Sequence, residues 1–98
     1  MTQKRANSNV YHIDDFTVTG GIFTNGCFDI IHRGHIALFD FCGNFSLNVP
    51  TIVAVNSDDS IAALKGSHRP IMKQEDRLAV LSSIRWIDYV VIFETRSV

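Results

Sequence analysis

Apolar residues follow two spacings along the chain, one typical of buried strands and one typical of helices. Residues 22–24 form a short β-favouring run that ends at the turn signal Asn25-Gly26. Beyond this turn, four apolar residues recur at every third position and predict one face of a helix that ends near residue 45: Ile36, Phe39, Cys42 and Phe45. The first predicted unit is therefore a strand, a turn and a helix.

The rest of the chain continues this alternation. Pro50 ends the preceding segment, and residues 51–56 are almost wholly apolar, as in a parallel strand that is buried on both faces. Residues 57–60 offer helix N-caps. The remaining pattern predicts a short helix at 61–64, a loop at 65–70, a helix from 73 or 74 to 84, and a strand at 89–93.

The predicted order is strand, helix, strand, helix, helix, strand. Such alternation implies an α/β fold, a Rossmann-like three-layer sandwich around a parallel sheet with right-handed crossovers. Ligands of open parallel sheets lie beyond the carboxyl ends of the strands. We therefore expect one crevice bordered by residues 25–35, residues 56–59 and the loop after Phe93.

The amino-terminal residues differ from this pattern. Residues 1–20 are mostly polar and are predicted to be a tail, with at most a short extended piece at residues 10–13. Because 98 residues suffice for one small domain, we expect a single ordered domain over residues 21–98. Such a small domain buries a modest share of its surface, so association into a homodimer is expected.

Charge and composition narrow the class of ligand. Nine Lys and Arg against ten Asp and Glu give a formal net charge of −1, so no basic field indicates a nucleic-acid partner. No run reaches the ~18 apolar residues of a membrane span, and no apolar stretch follows Lys4 and Arg5. We therefore expect a cytoplasmic protein that does not contact membranes. The spacing of Cys27 and Cys42 favours two reduced packing residues.

Chemistry-bearing residues concentrate between the first strand and the first helix. The sequence NGCFDIIHRGH, residues 25–35, places His32 and His35 three positions apart, on one side of a first helical turn. Free N–H groups and the partial positive charge of a helix start suit a phosphate. Gly34 allows a ligand to approach the backbone, and two imidazoles could donate hydrogen bonds to phosphate oxygens.

From the residues alone, interpretations without a function are also open. The tetrapeptide HRGH occurs by chance, and a histidine near a helix start is more often a cap or a surface group. A zinc site is less favoured still, because no cysteine shares a ligand spacing with the histidines, so no metal-binding residue is predicted. Neither a P-loop nor a GxGxxG pattern is present.

A resemblance to a known family favours the functional interpretation. Residues 24–35, TNGCFDIIHRGH, resemble the GxFDxxHxGH signature of the cytidylyltransferase-like nucleotidyltransferases, the HxGH superfamily. Further segments resemble its branch of heptose-phosphate adenylyltransferases and glycerol-3-phosphate cytidylyltransferases: VNSD at 55–58, LKG at 64–66, RP at 69–70, EDR at 75–77 and IRWID at 84–88. The resemblance covers residues 22–94 and departs from the family pattern at residues 41–50.

The resemblance implies a role for each matching residue. His32 and His35 would bind the phosphates and stabilise the transition state, and Lys65 would reach the phosphates from across the crevice. The implied nucleotide-binding residues are Thr24, Asn25, Gly26, Cys27, Phe28, Asp29 and Gly34. Among them, Cys27 and Phe28 would offer backbone groups and Asp29 would hold the loop.

The implied substrate-binding residues are Asp58, Arg77 and Arg85. Asp58 would lie near the second substrate or the metal, and the two arginines would support the site or a dimer contact. Each has a simpler alternative. Asp58 is also a candidate helix N-cap and Lys65 a candidate solvated loop lysine, while surface helix charge is the preferred interpretation of Arg77 and Arg85.

The implied reaction joins ATP or CTP, with ATP favoured, to a small phosphorylated sugar or alcohol and releases pyrophosphate. A phosphomonoester with a second pKa near ~6 is largely ionised at pH 7, so its oxygen can attack without a general base. Alignment and charge stabilisation would come from His, Lys, backbone N–H groups and, by resemblance, Mg²⁺.

Family members continue with a KGxDY-like segment and a Ser/Thr-rich phosphate-binding segment, and residues 94–98 resemble neither. We therefore expect a shortened form of the fold without the C-terminal strands. Two functions stay open: a nucleotidyltransferase, or a catalytically weak nucleotide-binding or assembly module that retains the phosphate loop. A structural relic that binds no nucleotide is a third.

Overall fold

The computed structural model describes residues 9–45 and 48–94. They form four strands, β1 (Val10–His12), β2 (Ile22–Gly26), β3 (Thr51–Asn56) and β4 (Tyr89–Phe93). The helices are α1 (Arg33–Phe45), α2 (Asp58–Lys65) and α3 (Gln74–Ser82), and a short 3₁₀ helix, Ile13–Asp15, follows β1. From β2 onward, the predicted order of strands and helices is confirmed.

The strands form one sheet in the order β1-β4-β3-β2, and every neighbouring pair is parallel. Since parallel neighbours need long crossovers, the links from β2 to β3 and from β3 to β4 pass through helices. The predicted Rossmann-like α/β fold is confirmed. All four carboxyl ends lie at one edge of the sheet, the edge from which the loop after β2 leaves.

The core lies between one face of the sheet and two helices. All six residues of β3 are buried, as its unbroken apolar sequence predicts. The main cluster of buried side chains joins the sheet to α1, α3 and the neighbouring loops: Phe28, Phe39, Val53, Val55, Leu81, Ile87 and Val90. Leu78 and Ile84 pack against this cluster, as the predicted apolar side of the third helix requires.

The sequence pattern wrongly assigns Phe45 to the apolar face of α1. Phe39 and Cys42 are buried, but Phe45 is 67% exposed. The reason is helical geometry, because nine residues span about 2.5 turns, so Phe45 lies on the side opposite Ile36. Its ring instead contacts the ring of Phe41, with centroids 5.8 Å apart.

The sheet begins earlier than the sequence pattern predicts. Val10 pairs with Val90, and the Val90 amide donates a 3.0 Å hydrogen bond to the carbonyl of Asn9. This strand lies where a short extended piece was allowed within the expected tail, and Val10 packs against the core. The first eight residues of that tail lie outside the described residues, as do 46, 47 and 95–98.

Across residues 9–45 and 48–94, no helix combines the length and apolar character that crossing a bilayer requires.

Candidate functional site

The loop between β2 and α1 has an unusual backbone. Phe28 and Ile30 both have positive φ angles, 52° and 63°. Residues other than glycine rarely adopt this left-handed region, and each such residue costs about 1–3 kcal/mol. The Phe28 side chain is buried, and its ring packs against that of Phe39 with centroids 5.5 Å apart. The core therefore holds the loop in a shape that the loop alone disfavours.

Asp29 ties this loop to the segment before α3. Its Oδ2 accepts hydrogen bonds from the guanidinium Nε of Arg69, at 3.0 Å, and from the amide of Ile71, at 2.8 Å. Its Oδ1 accepts from the amide of Met72, at 2.7 Å. The carboxylate is almost inaccessible, with 1% side-chain exposure. Asp29 therefore holds the loop and offers no oxygen to a ligand.

The protonation of Asp29 follows from these contacts. Burial by itself raises the pKa of a carboxyl group, because it penalises the charged form. The hydrogen bonds from Met72 and Ile71 and the ion pair with Arg69 outweigh that penalty and set the pKa of Asp29 below its ordinary value. The group is therefore an anion at neutral pH.

Arg77 is the central connector of the site. Its guanidinium Nη1 donates to the carbonyls of Cys27, at 2.8 Å, and Asn56, at 2.7 Å. Nη2 donates to Oδ1 of Asp58 at 2.8 Å, and Nε donates to the carbonyl of Met72 at 3.0 Å. One side chain thus joins the loop after β2, the end of β3, the start of α2 and the approach to α3.

The position of Arg77 corrects the preferred interpretation of that residue. The side chain is 0% exposed, so it is not a surface helix charge. Four of its five N–H groups donate to internal acceptors, so the side chain is engaged mainly within the fold. Arg77 thus connects the segments that surround the candidate site, and the roles that the resemblance implies for it stay predictions.

His32 and His35 lie together at the start of α1. Their ring centroids are 4.1 Å apart. The Gly34 amide donates to Nδ1 of His32 and the His32 amide donates to Nδ1 of His35, each at 3.1 Å. A neutral imidazole whose Nδ1 accepts a hydrogen bond carries its proton on Nε2. Both rings are therefore set to donate from Nε2.

The two rings differ in their surroundings. His32 is exposed, whereas His35 is half-buried and meets the edge of the Phe28 ring with centroids 5.5 Å apart. Burial, and then the charge of a protonated His32, lower the pKa of His35 below its ordinary value. His35 is therefore neutral at pH 7 without a bound anion.

Gly34 has a steric role beside these rings. A Cβ atom there would stand 2.9 Å from Cε1 and 3.1 Å from Nδ1 of His32. Any side chain at this position would displace the His32 ring. The glycine thus keeps open the surface on which the two imidazoles lie.

The end of β3 forms the next border of the site. Asn56 donates from Nδ2 to the hydroxyl of Ser60 at 2.9 Å, and its Oδ1 lies 3.8 Å from the thiol of Cys27. Ser57 is the N-cap of α2, because its hydroxyl accepts from the Ser60 amide at 3.1 Å. Asp58 is therefore the first helical residue and not the cap that the alternative interpretation made it.

The other residues implied by resemblance occupy different positions. Thr24, Asn25 and Gly26 are the last three residues of β2. Lys65 is the exposed last residue of α2, and within the described ranges it makes no ion pair. Arg85 lies just before β4, at the amino end of a parallel strand, and its guanidinium lies 5.3 Å from the centre of the Trp86 ring. The fold thus places Arg85 at the edge of the sheet opposite the site.

Few side chains at this site could bind a divalent cation. No cluster of three His, Cys, Asp or Glu with metal-binding geometry occurs in the part of the chain that the structure describes. Asp29 uses both carboxylate oxygens internally, whereas Asp58 is partly exposed and uses Oδ1 for Arg77. Mg²⁺ often binds through one or two carboxylates plus substrate phosphates. The residues fit a cation that arrives with phosphates, with Asp58 as the available carboxylate.

The sequence pattern did not identify two residues that hold the site together. Arg69 pairs with Asp29 across 40 positions of sequence, and Gln74 accepts from the amide of Asp58 at 2.8 Å. The Arg-Pro match at 69–70 marked the segment without indicating its partner. No local spacing could have found these contacts, because only the fold brings the segments together.

Comparison with known proteins gives a family match. A sequence model of the family described as cytidylyltransferase-like matches residues 23–98. The bifunctional protein HldE of Helicobacter pylori (strain HPAG1) is 45% identical over 73 residues, or 74% of this chain and 15% of that protein. HldE of Wolinella succinogenes is 49% identical over 76 residues, again 74% of this chain and 15% of that protein. The chain therefore matches about 15% of the length of these relatives.

A solved structure shares the fold. The lipopolysaccharide core biosynthesis protein from Thermoplasma volcanium GSS1 superposes with a TM-score of 0.59 at 25% sequence identity. The superposition covers 72% of this chain and 55% of that one.

Proposed function

The chain belongs to the cytidylyltransferase-like family, and on that premise we propose that it is a cytoplasmic nucleotidyltransferase. It transfers a nucleoside monophosphate from ATP or CTP, ATP being favoured, to a small phosphorylated sugar or alcohol, and pyrophosphate leaves. Its relatives named HldE support this class of reaction. The observation that carries the proposal is the pair of imidazoles at the start of α1, 4.1 Å apart and both with Nε2 left to donate.

The reaction needs alignment and charge stabilisation more than it needs a base. The acceptor's phosphate oxygen is already ionised at pH 7 and attacks the α-phosphorus in line, while the bond to the leaving pyrophosphate breaks. His32 and His35 donate to phosphate oxygens on which negative charge grows, which stabilises the transition state. The positive end of the α1 dipole adds to the same field. When bound, Mg²⁺ would neutralise phosphate charge, with Asp58 as the carboxylate that could hold it.

Rigidity of the loop is the second support for the proposal. Asp29 and Arg77 bind the loop from two sides, through Met72 and through the carbonyl of Cys27. Groups that are already in place need no reorganisation when charge develops, so such fixing raises their catalytic value.

A second candidate is a nucleotide-binding module with weak or no catalysis. One observation favours it, because Nε of Arg69 and most N–H groups of Arg77 are engaged by internal acceptors. At the start of α1, His32, Arg33 and His35 are then available to a triphosphate of high negative charge. Such a set can bind phosphate while stabilising the transition state poorly.

One experiment separates the candidates. The purified chain would be incubated with Mg²⁺, radiolabelled ATP or CTP and a panel of sugar and alcohol phosphates, and pyrophosphate release would be measured. Acceptor-dependent release supports the transferase. Binding by calorimetry without release supports the binding module, and an absence of both contradicts the two together.

A further inference from the structure

Two side chains from the first turn of α3 reach the start of α2. The amide oxygen of Gln74 accepts a 2.8 Å hydrogen bond from the main-chain N–H of Asp58. Nη2 of Arg77 donates to Oδ1 of the same aspartate, also at 2.8 Å. Because residues three apart on a helix share one side, both groups approach Asp58 from one face of α3. Asp58 is therefore held at its main chain and at its carboxylate.

These contacts add to the capping of α2. An acidic residue in a first helical turn is ordinary, since it interacts favourably with the helix dipole. The cap itself comes from Ser57, whose hydroxyl accepts from the Ser60 amide. An aspartate that serves the dipole alone needs no partner in another helix. The two bonds from α3 instead fix where the Asp58 carboxylate lies and how it is turned.

The carboxylate held in this way lies beside the loop between β2 and α1. The guanidinium of Arg77 that donates to Asp58 also donates, through Nη1, to the carbonyl of Cys27 in that loop. One guanidinium group thus separates the loop from the carboxylate. The Asp58 side chain is 29% exposed, and its Oδ2 accepts no hydrogen bond within residues 9–45 and 48–94.

A free carboxylate oxygen at this place has a consequence for bound phosphates. The other aspartate of the site, Asp29, uses both oxygens internally, so Asp58 contributes the free one. Like charges repel, and a carboxylate beside bound phosphates is favourable when a cation lies between them. Mg²⁺ binds in this way, through one or two carboxylates and the substrate phosphates.

We propose that Gln74 is a positioning residue, which together with Arg77 presents Oδ2 of Asp58 to the divalent cation that accompanies the nucleotide. This inference rests on the proposed function, because it takes the nucleotide phosphates to lie at the start of α1. Groups that hold a metal ligand set its orientation, and losing one typically costs roughly 10–100-fold in metal affinity. Gln74 precedes the EDR segment at 75–77, so the resemblance assigned no role to it.

The test is calorimetric titration of the full chain with ATP, once in EDTA and once in Mg²⁺, without an acceptor phosphate. Mg²⁺ should tighten ATP binding by the wild type. Gln74→Met removes the acceptor oxygen and should reduce this gain about tenfold while leaving the affinity in EDTA unchanged. Gln74→Glu retains an oxygen that can accept from the Asp58 amide, so it should keep the gain.

The matched control is Glu75→Met, at the exposed next position of the same helical turn. It should show the Mg²⁺ gain of the wild type, and circular dichroism would verify that each variant is folded. A second measurement needs no variant. Mn²⁺ added with ATP to the wild type should broaden the NMR signal of the Asp58 amide more than that of Tyr89, which begins β4 at the opposite edge of the sheet.

Three results would overturn the proposal: a folded Gln74→Met that keeps the full Mg²⁺ gain, an equal loss of ATP affinity in EDTA and in Mg²⁺, or an Asp58 signal that stays as sharp as that of Tyr89. An equal loss in both buffers would assign Gln74 a purely structural role. Failure of the proposed function looks different, because the wild type would then bind no ATP in either buffer, and this inference would fall with it.

Discussion

The guanidinium of Arg77 donates a 2.8 Å hydrogen bond to the carbonyl of Cys27, which lies 50 residues earlier in the chain. The same nitrogen donates to the carbonyl of Asn56 at 2.7 Å. One buried cation therefore joins the loop after β2 to the end of β3. The shape of the candidate nucleotide site depends on a buried residue in α3 that uses four of its five N–H groups within the fold.

Replacing Arg77 should destabilise the whole domain. Arg77→Met leaves three carbonyls and the carboxylate of Asp58 without their donor, so we expect a loss of about 3 kcal/mol in the free energy of unfolding. Arg77→Lys should recover only part of this lost stability, because an ammonium cannot reproduce the planar fork of the guanidinium. Urea unfolding measures both. Arg85→Met, at an exposed position, is the control and should stay within about 0.5 kcal/mol of the wild type; equal effects at the two positions would contradict the assignment.

Gly34→Ala should weaken ATP binding without lowering the stability of the domain. Alanine favours a helix over glycine by about 0.5–1 kcal/mol, so the midpoint of unfolding should not fall. The new Cβ would displace the His32 ring, and ATP binding should weaken by about tenfold, the equivalent of one hydrogen bond. Calorimetry with ATP and thermal unfolding give the two values. Unchanged affinity would show that the His32 ring does not contact the nucleotide.

Asp29→Asn should remove stability in a pH-dependent way. The amide nitrogen replaces an acceptor that faces main-chain N–H groups, which costs about 1–3 kcal/mol at pH 7. The folded state lowers the pKa of Asp29, so its contribution is complete above the ordinary value of 3.8 and is lost as the pH falls through the folded pKa. The difference between wild type and variant in urea unfolding should therefore shrink in acid. The control is Asp59→Asn, an exposed residue of the first turn of α2, and a constant difference down to low pH would refute the assignment.

His35→Ala tests the catalytic role directly. Removing one donor to transition-state charge costs typically 10²–10³ in rate, roughly 3–4 kcal/mol, and we expect a loss of that size in kcat for pyrophosphate release. His12→Ala, which removes an exposed histidine at the far edge of the sheet, should leave kcat unchanged. Near-wild-type turnover by a folded His35→Ala variant would eliminate the proposed role.

The charge of His35 should follow occupancy of the site. Without nucleotide, burial and the neighbouring His32 lower its pKa below 6.5, so its NMR titration midpoint should fall below that value. The unfolded chain then binds a proton more readily than the folded one, so this residue costs stability as the pH falls below 6.5 and costs none above it. Bound ATP should raise the midpoint, whereas His12 in the same spectra should not respond. An unchanged His35 midpoint with saturating ATP would contradict phosphate contact.

Residues whose role depends on distant partners could not be predicted correctly from the sequence. Arg77 lies in a helix of largely polar composition, so a surface charge was the natural interpretation, but the fold buries it among acceptors from four other segments. For Asp29, the resemblance implied that it holds the loop, but the sequence did not identify its partners Arg69 and Met72. Such contacts join residues that are far apart in sequence and therefore leave no local pattern.

By itself, the sequence determined the order of strands and helices, the buried character of β3 and the position of the two histidines at a helix start. These features follow from hydrophobic periodicity and local turn chemistry, which act over a few residues. The tertiary structure decided that Arg77 is internal, that β1 extends the sheet and that Phe45 faces outward. Those outcomes depend on which segments meet in space, since burial and hydrogen bonding are satisfied across the whole fold and not along one stretch of chain.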